Sequence, residues 1–266
     1  MKKLFVSADI EGTCGIAHWD ETSRNRPDYA PYARQMTREV AAACEGALEA
    51  GVEHILVRDA HDSARNLDVS LLPPQVEIIR GWAPDPLCMM HGINESFTAA
   101  IFTGCHDAAG TGSNPLAHTM DTNLIWFTLN GETVSEALLN AYAAAYVGVP
   151  LAAVTGDHGL CERMRGLIPG LTIVPVNKGQ GGAVKSIHPD EAVKRIRENV
   201  ASALKGDLKD NLPAVPERME ADLRFREVQR ACRASFYPGM RALDSHTVRF
   251  ETNDYYELLR MVHFCV

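Results

Sequence analysis

The sequence contains no two cysteines in the CxxC spacing. Its seven cysteines stand apart, at Cys14, Cys44, Cys88, Cys105, Cys161, Cys232 and Cys265. A structural zinc knuckle and a thioredoxin-like dithiol both need closely spaced cysteines, so the sequence favours neither. Scattered cysteines in odd number are typical of free thiols in a reducing compartment, and we therefore expect a cytoplasmic protein.

Runs of lysine and arginine are also missing, and the formal net charge is -8. A chain this acidic has no general electrostatic attraction to a phosphate backbone. We therefore expect no nucleic-acid partner.

Long apolar runs are likewise missing. The apolar opening from Leu4 to Val6 ends at Ser7, which is too short for the core of a signal peptide. The apolar stretch from Ala137 to Val154 is broken by Gly148 and Pro150. A membrane span needs ~20 uninterrupted apolar residues, so we expect no membrane association.

What the chain does contain is an alternation of short aliphatic runs and longer helical patterns. The runs that predict strands are Leu4–Ala8, His54–Arg58, Val76–Ile79, Ala99–Thr103, Leu124–Leu129, Leu151–Thr155 and Leu171–Val174. Helical spacing of apolar residues predicts helices over Gln35–Ala50, Ser135–Tyr146 and Pro189–Leu204. The alternation predicts an α/β fold with a largely parallel central sheet flanked by helices. A polar, proline-containing stretch after residue 205 predicts a division between an α/β domain over 1–205 and a smaller C-terminal segment over 206–266.

Polar side chains follow three of the predicted strands directly. Asp9 and Glu11 follow the first strand, His61 follows the second, and His106 follows the fourth. In open α/β sheets the carboxyl ends of the strands form the ligand-binding edge, so these side chains can converge on one site. Glu136 begins a predicted helix, where the helix N-terminus favours a negative charge.

These residue types suit a metal ion. Imidazole nitrogen and carboxylate oxygen, without thiolate, form a common catalytic zinc environment that leaves room for water or substrate. Asp9 and Glu11 are two residues apart, so in an extended backbone both point the same way, and one carboxylate can bridge two ions.

Each residue taken singly also has a structural interpretation. Asp9 and Glu11 can cap a loop, His61 can belong to a turn, and His106 can be a hydrogen-bonded core histidine. Glu136 can be an ordinary helix-start acid. The occurrence of all these residues together favours a metal site, because acids and imidazoles gathered on one side of a sheet are costly to bury without a partner.

The same residues form a series of motifs that resembles a known family. The series is Ser7-x-Asp9-x-Glu11-Gly12, Asp59-x-His61-x-Ser63, Gly104-x-His106, His118, and Glu136 with Asn140-Ala141-Tyr142. In this order and spacing it is similar to the zinc-dependent D-aminopeptidases, the DppA-like M55 peptidases. The resemblance extends to Gly156-Asp157 and Ala183-Val184-Lys185.

This resemblance implies two zinc ions per subunit. It implies that Asp9 bridges them, that Glu11, His61, His106 and Glu136 complete their shells, and that His118 is the catalytic histidine. It also implies cleavage of short peptides with an N-terminal D-amino acid such as D-Ala, in a ring-shaped homo-oligomer, typically a decamer. Trp82, Met89, Met90 and Tyr255-Tyr256 are candidates for its interface, although such residues more often lie in the core.

Three other interpretations stay open at this point. Asp9-Ile10-Glu11-Gly12-Thr13 resembles the DxDGT loop of haloacid-dehalogenase-type phosphatases, but no lysine lies between Lys3 and Lys178 to bind phosphate before Asp157. A non-catalytic metal- or peptide-binding protein would keep the ligands without needing His118. A structural ring protein would need neither.

Overall fold

The structure, a computed structural model, describes residues 2–266, which form twelve strands and six α-helices. The strands are β1 (Lys3–Ala8), β2 (His54–Asp59), β3 (Val76–Ile79), β4 (Ala99–Cys105), β5 (Leu124–Leu129), β6 (Glu132–Thr133), β7 (Leu151–Asp157), β8 (Thr172–Gln180), β9 (Ala183–Ser186), β10 (Met219–Phe225), β11 (Met240–Ala242) and β12 (Thr247–Thr252). The helices are α1 (Tyr29–Glu49), α2 (Glu136–Tyr146), α3 (His158–Leu167), α4 (Pro189–Ala203), α5 (Val228–Ala234) and α6 (Tyr255–Cys265).

The main sheet has seven strands in the order β3-β2-β1-β4-β7-β8-β9. All neighbours are parallel except β8 and β9, which form an antiparallel hairpin at one edge. Both faces of its centre are buried: Leu4 and Val6 belong to one hydrophobic cluster, and Phe5 belongs to the other. Burial on both faces is why the central strands have continuous apolar runs. The predicted α/β fold with a largely parallel sheet is confirmed.

A second, antiparallel sheet packs against one face of the first. Its order is β11-β12-β10-β5-β6, and the Asn130-Gly131 turn between β5 and β6 has positive φ at both residues, as a two-residue hairpin requires. β10 alternates buried apolar residues with half-exposed polar ones, so one face enters the core. Leu124–Leu129 is therefore a strand as predicted, but it lies in this second sheet.

The helices cover the main sheet from both sides. α1 and α4 pack against each other over the cluster that contains Leu4 and Val6, whereas α2, α3 and α6 contribute to the cluster around Phe5. α1 begins at Tyr29, six residues before the predicted start, because Tyr29, Ala33 and Met36 continue the buried helical spacing backwards. The helices α3, α5 and α6 and the strands β6 and β9 to β12 were not predicted from the sequence patterns.

The C-terminal segment shares its sheet with an earlier part of the chain. β10 pairs with β5 along its length, so residues after 206 and residues 124–133 form one layer. The division at residues 205 and 206 stays a prediction. Within residues 2–266, no helix combines the length and the apolar character that a membrane crossing needs.

Candidate metal centre

The predicted ligands arrive at one edge of the main sheet because three parallel strands end there. Ala8 of β1 lies in register with Asp59 of β2 and Thr103 of β4, so the residues after each strand are neighbours. The backbone N–H of Asp9 donates to the carbonyl of Thr103 at 2.9 Å, which extends the pairing into the loops.

Gly104 lets the ends of β1 and β4 approach closely. It has φ +66°, and a Cβ at this position would lie 2.1 Å from the carbonyl oxygen of Asp9. Only glycine fits such a backbone contact. The contact brings the side chains of Asp9 and His106 to the same place.

One group of ligand atoms joins Asp9, Glu11 and His61. Nδ1 of His61 lies 3.1 Å from Oε2 of Glu11 and 3.4 Å from Oδ1 of Asp9. Nε2 of the same ring lies 3.0 Å from the carbonyl oxygen of Thr22. A carbonyl oxygen only accepts, so we assign the ring hydrogen to Nε2, which leaves the Nδ1 lone pair facing two carboxylate oxygens.

A second group joins Asp9, His106 and Glu136. Nε2 of His106 lies 3.5 Å from Oδ2 of Asp9 and 3.5 Å from Oε2 of Glu136. Nδ1 of His106 donates to the carbonyl of Asp107 at 2.9 Å, so Nε2 is the nitrogen that faces the carboxylates. The two oxygens of Asp9 therefore belong to different groups, and each histidine is oriented by a backbone carbonyl, as is usual for metal-bound imidazole.

The electrostatics of the two groups favour the binding of a cation. Burial, together with the neighbouring carboxylate of Glu11, raises the pKa of Asp9 to about 8. Although burial opposes ionisation of Glu11, the nearby His61 holds the pKa of that carboxyl well below its usual range. Burial lowers the pKa of His106, but the carboxylates of Glu136 and Asp9 outweigh it and raise that pKa well above its ordinary value.

The residues present fit a pair of divalent ions. Oε2 of Glu11 and Nε2 of His106 are buried and have no hydrogen-bond partner, which is costly unless an ion occupies the space between the groups. Two imidazoles and three carboxylates form the nitrogen and oxygen donor set typical of catalytic zinc. The sets Asp9, Glu11, His61 and Asp9, His106, Glu136 each have ligand atoms close enough together to hold a metal ion.

His118 reaches the same site from the long loop between β4 and β5. Its ring stacks on that of His106 at 4.2 Å, and the ring of Trp19 meets it edge-on at 5.3 Å. Nδ1 donates to the carbonyl of Leu116 at 2.9 Å, which leaves Nε2 3.5 Å from Oε1 of Glu136. His118 also forms a third possible ligand set with Glu11 and His106, so its geometry admits both a catalytic role and a ligand role.

A buried hydrogen-bond network, not predicted from the sequence, holds this loop in position. Asp157, at the end of β7, accepts the backbone N–H of Asp107 at 2.7 Å and that of Leu160 at 2.9 Å. Asp107 in turn pairs with Arg163 at 3.1 Å and accepts the hydroxyl of Ser113 at 2.8 Å. The sequence could have indicated a role for Asp157, because this residue follows a predicted strand just as Asp9 and His106 do.

The donor groups open into a cavity of about 360 Å³, which we call the metal cavity. Trp19 and Trp82 stand at its sides, and Asp62 adds a fourth acid to Asp9, Glu11 and Glu136 in its wall. Among the described residues that line it, none is a lysine or an arginine. The cavity is therefore suited to a cationic group.

Comparison with known proteins agrees with this geometry. The sequence profile of the D-aminopeptidase family, peptidase family M55, matches residues 1–264. The chain belongs to the D-aminopeptidase family.

A D-aminopeptidase of Bacillus subtilis strain 168 is 30% identical over 257 residues, which cover 96% of this chain and 93% of that protein. A solved structure, the Zn-dependent D-aminopeptidase DppA from Bacillus subtilis, described as a self-compartmentalizing protease, superposes with a TM-score of 0.90. Its sequence identity is 30%, and the match covers 99% of this chain and 97% of the other.

Family membership confirms the resemblance and the prediction of an aminopeptidase-type hydrolase. None of these matches supports a haloacid-dehalogenase-type phosphatase or a non-catalytic binding protein. Asp157, the distal acid of the phosphatase interpretation, accepts backbone N–H groups with both oxygens in this structure. These hydrogen bonds give it a role in holding the loop.

Proposed function

We propose that the chain is a two-zinc hydrolase that removes N-terminal D-amino acids, such as D-Ala, from short peptides. The observation that supports it most is the position of Asp9, whose two oxygens face two different histidines. One ion would be held by Asp9, Glu11 and His61, and the other by Asp9, His106 and Glu136. Zinc is proposed because the similar DppA structure is described as Zn-dependent.

Peptide hydrolysis breaks the amide C–N bond, forms a C–O bond to the carbonyl carbon, and transfers one proton from water to the leaving nitrogen. When bound, zinc would supply a Lewis acid that polarises the scissile carbonyl and makes water more acidic. The acidic walls of the metal cavity would bind the free α-ammonium group of the substrate, which an aminopeptidase must recognise.

His118 is the residue proposed to give the leaving nitrogen its proton. Its Nδ1–H is engaged by the carbonyl of Leu116, so Nε2 is the nitrogen that can exchange a proton on the cavity side. The rings of Trp19 and His106 contact it on two sides and restrict its rotation. General acid catalysis needs a group fixed in this way within reach of the reacting atom.

The preference for D-residues is proposed from the names of the relatives. The test is hydrolysis of D-alanyl and L-alanyl p-nitroanilide by protein loaded with zinc, and again after chelation. We expect zinc-dependent release from the D form and much slower release from the L form. Equal rates of hydrolysis of both forms would refute the D preference. If protein with two bound zinc ions hydrolyses neither form, the proposed function is refuted.

The proposed assembly is a ring-shaped homo-oligomer, with a decamer as the specific expectation. Support comes from the description of the similar DppA structure as a self-compartmentalizing protease, which suggests an oligomeric assembly. An enclosed chamber would restrict access to short peptides.

A further inference from the structure

A second cavity adjoins the metal cavity at His118. It has a volume of about 1080 Å³, and Trp19 and His118 belong to the walls of both cavities. We call it the arginine cavity, because Arg226 and Arg230 also line it. Its volume lies slightly above the usual range of small-molecule sites, roughly 300–1,000 Å³.

The two arginines differ in how far they are engaged. Nη1 of Arg230 pairs with the carboxylate of Asp121 at 3.1 Å, so that charge is compensated. Arg226 donates from Nε to the carbonyl of Thr122 at 3.0 Å, and in the described part of the chain it pairs with no carboxylate. The terminal nitrogens of Arg226 are therefore available to an anion.

Arg226 is also held at a fixed place beside the cavity. Its backbone N–H donates to the carbonyl of Asn123 at 2.8 Å, directly beyond the pairing of β10 with β5. The hydrogen bond from its side chain to Thr122 orients the guanidinium as well. A guanidinium fixed in this way presents two parallel N–H groups, the geometry that matches a carboxylate.

The two cavities have opposite electrostatic character. The metal cavity has four acids and, among its described lining residues, no lysine or arginine, whereas the arginine cavity has the uncompensated Arg226. A short peptide is a zwitterion with its ammonium group at one end and its carboxylate at the other. His118 stands at the junction, where the bond to be cleaved would lie.

We propose that the arginine cavity binds the leaving-group part of a short peptide, and that Arg226 binds the peptide's terminal carboxylate. This inference rests on the proposed function and adds a specificity residue to it. The C-terminal segment thereby contributes to the substrate site, because Arg226 directly follows β10. It also assigns the substrate class: short peptides with a free C-terminus rather than long or amidated ones.

The experiment compares D-Ala-Gly-Gly with its C-terminal amide. A charge-assisted hydrogen bond in a partly exposed site is worth about tenfold in affinity, so we expect kcat/KM for the free acid to be about ten times that for the amide, through KM. In Arg226→Met this ratio should fall to about one, and in Arg226→Lys it should be intermediate. Arg233→Met is the matched control, because Arg233 is exposed on α5 and lies outside the cavity lining.

Three results would overturn the inference while leaving the proposed function intact. They are a wild-type ratio near one, an unchanged ratio in Arg226→Met, and an equal fall in Arg233→Met, which would indicate only long-range electrostatics. If the wild type cleaves neither peptide, the proposed function fails, and calorimetry with glycylglycine and glycylglycine amide decides the inference alone. Binding of glycylglycine that is lost in Arg226→Met would support the carboxylate site, and equal binding by both proteins would exclude it.

Discussion

Asp9 is the residue on which both donor groups depend, because its two oxygens face different histidines. Besides Asp9, one donor group contains Glu11 and His61, and the other contains His106 and Glu136. If two ions bind as proposed, loss of the Asp9 charge should affect both of them, whereas loss of any other ligand should affect one ion most.

We predict that Asp9→Asn lowers zinc binding at both sites. Outer-shell substitutions cost about 10- to 100-fold in metal affinity, and removal of a shared ligand should cost at least as much. Zinc content measured by atomic absorption after dialysis should fall from two per chain to below one. Asp62→Asn is the control, because Asp62 lines the same cavity but belongs to neither donor group. Retention of two ions in Asp9→Asn would contradict the bridging role.

His118→Ala separates the two roles that the geometry admits. If His118 transfers a proton, we expect kcat to fall by about 10²–10⁴-fold while the zinc content stays near normal. The measurement is turnover of D-alanyl p-nitroanilide together with zinc analysis of the same sample. Loss of one zinc ion in His118→Ala would instead make this residue a ligand.

Glu39 is a buried acid away from the donor groups. Its Oε1 accepts the backbone N–H of Cys14 at 3.0 Å and the side-chain amide of Gln35 at 2.9 Å, while its Oε2 has no partner. Burial raises the pKa of Glu39 from 4.5 to about 7. The folded protein therefore holds this carboxyl in its protonated form at pH values where the unfolded chain has already ionised it.

The consequence is a loss of stability as the pH rises. Below pH 4.5 both states are protonated and Glu39 costs nothing; between 4.5 and 7 the unfolded state ionises first, and above 7 the loss is complete. We predict that Glu39→Gln, which resembles the protonated acid, gains roughly 2–3 kcal/mol over the wild type between pH 5 and pH 8. Chemical denaturation at both pH values measures this, with the exposed Glu198→Gln on α4 as the control. A difference that does not change with pH would contradict the prediction.

At the scale of the elements, the strand-end rule predicted most of the centre. Asp9, His61 and His106 follow strands that proved to be adjacent and parallel, so their convergence follows from the sheet order. Glu136 and His118 come from a helix start and a loop, and only the family resemblance singled out His118. The carbonyl of Thr22, which orients His61, is a backbone atom that no side-chain pattern could reveal.

Most strands of the second sheet were not predicted from the sequence. The alternation of Met219 to Phe225 matches a half-buried strand and could have been recognised. Its partner could not, since β5 lies nearly a hundred residues earlier and strand pairing is set by tertiary packing. For the same reason no sequence pattern indicates that Arg226 and His118 line the same cavity.

The hairpin of β8 and β9 also contributes to the site through the loop that carries His118. The backbone N–H of Gly179 on β8 donates to the carbonyl of Ser113 at 2.8 Å. A Cβ at Gly179 would lie 2.3 Å from that same oxygen, so any larger residue must displace the loop.

We predict that Gly179→Ala destabilises the protein by about 1–3 kcal/mol, as overpacking does. Displacement of the loop should also reduce kcat, by up to about 100-fold if His118 moves by ~1 Å. Gly182→Ala in the same hairpin is the control, because nothing lies within 4 Å of a Cβ there. Thermal unfolding and turnover measure the two effects. Equal behaviour of the two variants would show that Ser113 does not fix the loop.

At the scale of the whole molecule, the structure corrects the residues considered for an interface. Met89, Met90 and Tyr255 are buried in the single chain, whereas Trp82, beside the metal cavity, is 41% exposed and stays a candidate. Among the described residues, the most exposed large apolar side chains are Phe236 at 82% and Phe264 at 61%, near Tyr237 in the C-terminal segment.

We predict that the protein in solution is a multiple of its 29.1 kDa chain, with a decamer at about 290 kDa. Exposed aromatic clusters of this kind often mark interfaces, so Phe236→Asp should lower the mass. Light scattering after size exclusion measures both. A wild-type mass of one chain would refute the assembly, and an unchanged mass in Phe236→Asp would place the contacts elsewhere.

The donor atoms come from segments as far apart as Asp9 and Glu136. No fragment that ends before the start of α2 has the complete set, and the unfolded chain keeps these groups dispersed. During synthesis, therefore, the ribosome must release about half of the chain before the full centre can form. An ion that binds only the assembled centre would then stabilise by mass action the arrangement of β1, β2, β4 and α2, the elements that carry or precede its ligands.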